Sequence, residues 1–207
     1  MTAVVIAVVT WFALVLQLYL IVGVTVADGG SALIAVVNYL SFFTILTNLL
    51  VALTLTFALW SGSSKAGAFF RSPGVQSAVA AYIAIVGILY SLLLRHVWNP
   101  QGLQRLADLL LHNAVPVLFV LFWVFFVPKQ TLRWSDPVRW LIYPLAYLVY
   151  VLLRGVLLTH YPYYFIDVRA LGLATVLLNA TMLVAAFLVV GLAMVALGRW
   201  SERPRIA

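Results

Sequence analysis

Two short stretches of an otherwise apolar chain carry side chains suited to catalysis. In SFFTILTNLL, Ser41, Thr44 and Asn48 stand at i, i+3 and i+7, which places them on one face of a helix. In LLHNAVPVLF, His112 lies one helical turn after Asp108. Apolar surroundings favour a neutral imidazole, which can take the proton of a Ser or Thr hydroxyl as that hydroxyl attacks a carbonyl. The two stretches together indicate ester hydrolysis by a hydroxyl nucleophile and a histidine base.

Each of these residues also has a purely structural interpretation. A Ser or Thr inside an apolar helix commonly bonds the carbonyl one turn back, and Asn often joins two helices. A buried histidine can likewise be a hydrogen-bonded bridge between helices. Asp108 either orients the imidazole of His112 or marks the start of a helix. The pattern alone leaves these alternatives open.

The composition predicts the elements that must position these residues. The chain has 207 residues, of which 66% are hydrophobic and only 8% charged, whereas about a quarter of a soluble protein is charged. Its apolar residues come in blocks of about twenty, the length of a helix that crosses a bilayer. The prediction is therefore an all-α, polytopic membrane bundle. The chain has no cysteine, which excludes thiol chemistry and disulfides.

We predict one domain, residues 1–207, of six transmembrane helices. The spans are 3–26, 37–60, 77–94, 109–127, 140–158 and 171–197. Glycine and proline are scarce inside them, so each span is expected to be a continuous helix. The segment SGSSKAGAFFRSPGVQ and the segment RHVWNPQGLQRLAD are predicted to be loops, the former flexible.

The basic residues predict an orientation. An even number of spans places both termini on one side, and eight of the twelve basic residues fall there: Lys65, Arg71, Lys129, Arg133, Arg139, Arg199, Arg203 and Arg205. Cytoplasmic loops are enriched in Lys and Arg, so both termini are predicted to be cytoplasmic. The net charge of +7 is accordingly a topology signal, and no nucleic acid partner is predicted.

With this orientation the polar groups of the spans gather in the outer half of the bundle, next to the outer leaflet. They are Ser41, Thr44, Asn48, Arg95, His112, Asn113, Arg154 and Asn179. Because polar groups at membrane depth are costly, such an asymmetry favours a site. We expect Asn48 or Asn113 to stabilise an oxyanion and Arg154 or Arg95 to hold a substrate carboxylate. Tyr150, on the same helix face as Arg154, and Asn179 complete the predicted substrate-binding set.

Three patches carry a family resemblance: NYLSFFTILTNLLVAL, LLHNAVPVLF and YPLAYLVYVLLRGVLLTHYPYYFID. With them the chain resembles the bacterial predicted six-transmembrane proteins related to the eukaryotic androgen-induced and androgen-dependent membrane proteins. The eukaryotic relatives are intramembrane hydrolases of fatty acid esters of hydroxy fatty acids, with a threonine nucleophile and a histidine.

The resemblance implies a role for His112, which matches the family histidine with a proline following in both. An ungapped match puts the family threonine on Ser41 and its amide on Asn48, whereas a shift of three positions puts the threonine on Thr44. The implied activity is that of a threonine hydrolase in lipid metabolism. The implied location is a bacterial cell membrane, which the chain crosses several times. The implied partners are membrane lipids and a fatty-acid-like ester, without metal or cofactor.

Two non-enzymatic alternatives remain. One is a protein that binds or transports a lipid or small molecule through the same outward polar cavity. The other is a structural bundle in which the polar stripe joins helices. Nothing in the sequence indicates an oligomeric state.

Overall fold

The computed structural model describes residues 2–60 and 64–201. Across these residues every regular element is a helix and none is a strand, which confirms the all-α prediction. Five helices are long and apolar enough to cross a membrane, and a bent pair makes a sixth if its two parts form one span. Arg203 and Arg205, which were counted for the basic side, lie outside the described residues.

The chain divides into two compact units, the first ending at Thr131 and the second beginning at Leu132. The helices of the first unit are α1 (Thr2–Ala27), α2 (Ala32–Tyr39), α3 (Phe43–Trp60), α4 (Lys65–Arg71), α5 (Pro73–Leu89), α6 (Gly102–Leu109) and α7 (Val115–Phe126). Those of the second unit are α8 (Asp136–Trp140), α9 (Ile142–Leu158), α10 (Val168–Leu171) and α11 (Leu173–Ser201). Two π-helical turns, Tyr90–Leu94 and Leu110–Ala114, extend α5 and join α6 to α7.

In the first unit α3 packs against α1 and α5, and α5 packs against α7. The buried residues of α5 include the small side chains of Ala78, Ala80 and Ala81, and small residues allow neighbouring helices to approach closely. The indole of Trp123 on α7 donates to the hydroxyl of Ser77 on α5 over 2.7 Å. One π-turn follows α5 and the other precedes α7. The close packing of these two helices fixes how the two π-turns face each other.

The second predicted span is broken, so the prediction of a continuous helix over residues 37–60 is wrong. Helix α2 ends at Tyr39, α3 begins at Phe43, and the two are bent by 77°. No glycine or proline causes this break. The Ser41 hydroxyl donates to the carbonyl of Val37 over 2.7 Å, and the Tyr39 hydroxyl donates to the carbonyl of Leu14 over 2.8 Å. Side-chain donors thus satisfy carbonyls and anchor the end of α2 to α1, as a buried helix end requires.

Two predicted loops are partly helical. Residues 65–71 of the segment expected to be flexible form α4, whose first turn is capped by Ser64 through the N–H of Gly67, and Phe70 stacks on Phe57 of α3. The helical segment that contains the fourth predicted span starts earlier, at Gly102, and runs to Phe126. Asp108 therefore lies inside this segment and does not mark its start.

In the second unit α11 packs against α8, with Gly191 so close to Pro137 that an added Cβ would lie 2.9 Å from the proline Cβ. The core of this unit contains Val151 of α9, Val176 of α11 and Ile166 of the connecting loop. The loop between α9 and α11 thus contributes a helical segment to the packed core. Polar residues of both helices bond to this loop.

Candidate active site

The structure brings Asp108 and His112 into direct contact. The imidazole Nδ1 lies 3.1 Å from the carboxylate Oδ1 and also 3.1 Å from the Asp108 carbonyl. A carbonyl oxygen can only accept, so we assign a proton to Nδ1. Among the described residues Nε2 has no hydrogen-bond partner. The side chains of His112 and Asp108 are only 16% and 8% exposed, so this is a nearly buried acid–imidazole pair with a free basic nitrogen.

Tyr90 adjoins both members of this pair. Its ring stacks on the imidazole of His112, with centroids 4.2 Å apart and planes 16° from parallel. Its hydroxyl donates to the second carboxylate oxygen, Oδ2, of Asp108. Neither spacing nor a motif in the sequence pointed to Tyr90, because it comes from a different helix. Its role emerges only from the packing of α5 against the segment that carries His112.

The π-turn around His112 has a local cause in the sequence. Pro116 has no N–H, so the carbonyl of His112, four residues earlier, loses its usual helical donor, and the proline ring crowds that carbonyl. The N–H of Val115 bonds the carbonyl of Leu110, five residues back. Single π-turns of this kind are frequent at functional sites.

Gly87 provides the space for this arrangement. A Cβ at residue 87 would lie 3.2 Å from Cβ of Pro116 and 3.4 Å from the carbonyl oxygen of His112. The glycine therefore allows α5 to approach the π-turn of His112, one turn before Tyr90 begins the other π-turn. That turn is closed by the N–H of Arg95, which donates to the carbonyl of Tyr90 over 2.8 Å.

The face of α3 that bears Thr44 and Asn48 lies against the same π-turn. The Asn48 amide nitrogen donates to the carbonyl of Thr44 over 2.8 Å and to the carbonyl of Leu111 over 3.2 Å. Leu111 directly precedes His112. Asn48 is fully buried, and its Oδ1 accepts no hydrogen bond from any described residue. The amide nitrogen is occupied by two carbonyls, so Asn48 offers an acceptor at this position.

The two predicted nucleophiles differ in their surroundings. Ser41 lies in the break between α2 and α3, where its hydroxyl bonds the carbonyl of Val37. Thr44 lies in the first turn of α3, one turn before Asn48, and is 8% exposed. Because Ser41 is outside the helix, the predicted single stripe of Ser41, Thr44 and Asn48 does not exist. Within the described residues neither hydroxyl is hydrogen-bonded to His112.

The remaining predicted site residues fall into two groups. Asn113 lies in the π-turn beside His112 and is partly buried, and its side chain makes no hydrogen bond to another described residue. Arg95 is exposed at the end of the turn that begins with Tyr90. Tyr150, Arg154 and Asn179 belong to the second unit. Tyr150 is 42% exposed, with its ring centroid 6.3 Å from that of Tyr147.

Arg154 and Asn179 hold the loop between α9 and α11. Arg154 is buried, and its Nη1 donates to the carbonyl of His160 over 2.9 Å. The Asn179 amide donates to the carbonyl of Phe165 over 2.8 Å. Beside them the ring of Tyr161 occupies the space where a Cβ at Gly155 would stand. These contacts give both polar residues a structural function within their own unit.

Replacing Arg154 by alanine is expected to release this loop. The carbonyl of His160 loses a charged donor, which costs roughly 1.5–3 kcal/mol locally. Limited proteolysis with chymotrypsin, which can cleave after Tyr163, Tyr164 and Phe165, measures the release. We expect clearly faster cleavage there in Arg154→Ala than in the wild type or in Arg169→Ala, a control at an exposed arginine of the same unit. Equal cleavage rates in all three proteins would contradict this role.

Comparison with known proteins adds no relative: no family model, curated protein or solved structure matches the chain. An imidazole whose Nδ1 is held by a carboxylate and whose Nε2 is free has the arrangement of a general base, which accepts a proton at Nε2 while the carboxylate stabilises the resulting cation.

Proposed function

We propose that this chain is an intramembrane hydrolase of lipid esters, with Thr44 as nucleophile and His112 as base. The observation that carries the proposal is the contact of Asp108 with Nδ1 of His112, which leaves Nε2 as the basic nitrogen. Thr44 is preferred to Ser41 because Asn48, one turn further along α3, bonds the residue next to His112. Ser41 instead uses its hydroxyl to close the break.

The reaction proceeds in two halves. The Thr44 oxygen attacks the ester carbonyl carbon while His112 Nε2 takes the hydroxyl proton, and the tetrahedral intermediate expels the alcohol, which receives that proton. Water then attacks the acyl-threonine with His112 again as base, releasing the carboxylic acid and restoring the hydroxyl. Thr44 and His112 must approach each other for the first step, and such hydrogen bonds commonly tighten only when substrate is bound.

Two neighbouring residues suit supporting roles. The side chain of Asn113, beside His112 and without another hydrogen bond in the described chain, is the better candidate to donate to the developing oxyanion, because the Asn48 amide nitrogen is occupied. Such a donor contributes roughly 3–4 kcal/mol in soluble enzymes. Arg95 is the candidate for a substrate carboxylate, which favours fatty-acid-like esters over neutral ones.

The proposed setting is a cell membrane, with the chain as a multi-pass protein in the inner membrane of a bacterium. The distribution of basic residues supports cytoplasmic termini. In that orientation the Asp108–His112 pair faces the outer half of the bilayer, and a lipid ester reaches it from the outer leaflet.

Labelling with a fluorophosphonate probe tests the proposal, since the probe reacts much faster with an activated hydroxyl than with an ordinary one. The purified full chain in detergent is expected to label, and His112→Ala is expected to label at least ~100-fold more slowly because the base is lost. His96→Ala, at an exposed histidine, is the matched control and should label like the wild type. An unreactive, folded wild type, or equal labelling of His112→Ala, would remove the hydrolase assignment.

The broken span favours a second candidate, a protein that binds or transports a lipid. Discontinuous helices with a chain break inside the membrane are typical of substrate sites in transporters, where the N-terminus of a half-helix faces an anionic group. Here α3 begins at such a break. Native mass spectrometry distinguishes the two: a stably retained fatty acid without any labelling of the wild type would favour binding or transport.

A further inference from the structure

The side chain of Tyr90 contacts both members of the proposed base pair. Its hydroxyl donates to Oδ2 of Asp108, while Oδ1 of the same carboxylate meets Nδ1 of His112 at 3.1 Å. Each carboxylate oxygen thus has its own partner, so the carboxylate cannot rotate without breaking one of these contacts. The stacked phenol ring covers one face of the imidazole.

We infer that Tyr90 is a positioning residue that fixes the Asp108 carboxylate and so holds His112 in the tautomer with a proton on Nδ1. The role of Tyr90 in catalysis rests on the proposed function, whereas the tautomer of His112 is a property of the folded chain. Without the Tyr90 hydroxyl, the carboxylate is free to turn, and Nδ1 of His112 keeps only the backbone carbonyl of Asp108 as a fixed acceptor, so the preference for a proton on Nδ1 becomes weaker.

The backbone conformation around Tyr90 and His112 supports this positioning role. Tyr90 begins one π-turn and His112 lies within the other. A π-turn inserts one residue into a helix and so changes which side chain faces the neighbouring helix. Gly87 keeps the two segments close, since its missing side chain leaves the carbonyl of His112 against α5. The stacking of Tyr90 on His112 therefore depends on both helices, and the Tyr90 hydroxyl adds a hydrogen bond to Asp108.

The tautomer is measurable without any activity. The chain contains three histidines, so a sample labelled with 15N-histidine gives a simple spectrum, and His112→Gln identifies the resonances of His112. Protonated and bare imidazole nitrogens have well-separated 15N shifts. We expect the wild type in detergent to show one tautomer of His112, protonated at Nδ1 and bare at Nε2.

Tyr90→Phe tests the hydroxyl alone, since the ring and its stacking are retained. We expect exchange between the two tautomers of His112 and a fluorophosphonate labelling rate reduced about tenfold, as for the loss of one buried hydrogen bond. Tyr90→Leu removes the stacking as well and should label more slowly still. Tyr82→Phe, at a buried phenol two turns earlier on α5, is the matched control and should leave both readouts unchanged.

The outcomes separate this inference from the proposed function. A wild type protonated at Nε2, or a His112 spectrum unchanged by Tyr90→Phe, overturns the positioning role even if labelling persists. A changed tautomer in a protein that never labels retains the positioning role and removes the hydrolase. If Tyr90→Phe does not fold, 3-fluorotyrosine placed at residue 90 keeps the side chain and strengthens its hydroxyl as a donor. An unchanged 15N shift of His112 Nδ1 in that protein overturns the inference.

Discussion

Replacing Asp108 by asparagine is expected to lower the fluorophosphonate labelling rate by about 10²–10⁴-fold while the chain stays folded. The carboxylate oxygen 3.1 Å from Nδ1 of His112 is exchanged for a neutral amide group. The neutral amide does not stabilise an imidazolium, and an amide N–H turned toward the ring would favour the opposite tautomer. The rate is measured from the time course of labelling in detergent.

A matched aspartate provides the control for this experiment. Asp136 of the second unit accepts a hydrogen bond from the N–H of Arg133 over 2.8 Å and is remote in sequence from His112. Asp136→Asn is expected to label at the wild-type rate. A folded Asp108→Asn protein that labels as fast as the wild type would show that His112 needs no carboxylate, and the proposed base pair would be wrong.

Thr44→Ala and Ser41→Ala are expected to have opposite effects. Thr44→Ala should abolish labelling, because the attacking oxygen is gone. Ser41→Ala should retain labelling but lower the free energy of unfolding by about 1–3 kcal/mol, since the carbonyl of Val37 loses its donor inside an apolar environment. Labelling and thermal unfolding of both variants in the same detergent measure the two effects.

Thr47→Ala controls for the loss of a buried threonine from the same helix, because Thr47 is fully buried one turn from Thr44. It should label like the wild type after correction for the folded fraction. Loss of labelling in Ser41→Ala together with its retention in Thr44→Ala would assign the nucleophile to Ser41. Equal loss in Thr44→Ala and Thr47→Ala would indicate a packing defect and no nucleophile at residue 44.

The sequence was sufficient to predict most of the helical architecture. Apolar runs of about twenty residues form helices because a backbone in an apolar environment must satisfy its own N–H and C=O groups. The break at Ser41 was not predictable in this way, since it contains no glycine or proline. The hydroxyls of Ser41 and Tyr39 bond carbonyls at this break, and the acceptor of Tyr39, Leu14, lies on another helix.

The candidate site was predictable only where its members are close in the sequence. Asp108 and His112 are four residues apart, so a helix brings them together, and the sequence indicated that orientation as one of two alternatives. Tyr90 is paired with them by the packing of two helices and by two π-turns, neither of which leaves a periodic pattern. The spacing of Arg154 and Asn179 likewise gave no indication that each would bind a carbonyl of the following or preceding loop.

The central claim, an activated hydroxyl next to His112, is tested most directly by locating the fluorophosphonate adduct. The labelled full chain is digested and the modified residue is identified by tandem mass spectrometry, in the wild type and in His112→Ala. A single adduct on Thr44 is expected in the wild type, and at the same labelling time no detectable adduct is expected in His112→Ala. An adduct on a residue outside the segment 41–48, or a folded wild type without any adduct, would contradict the central claim.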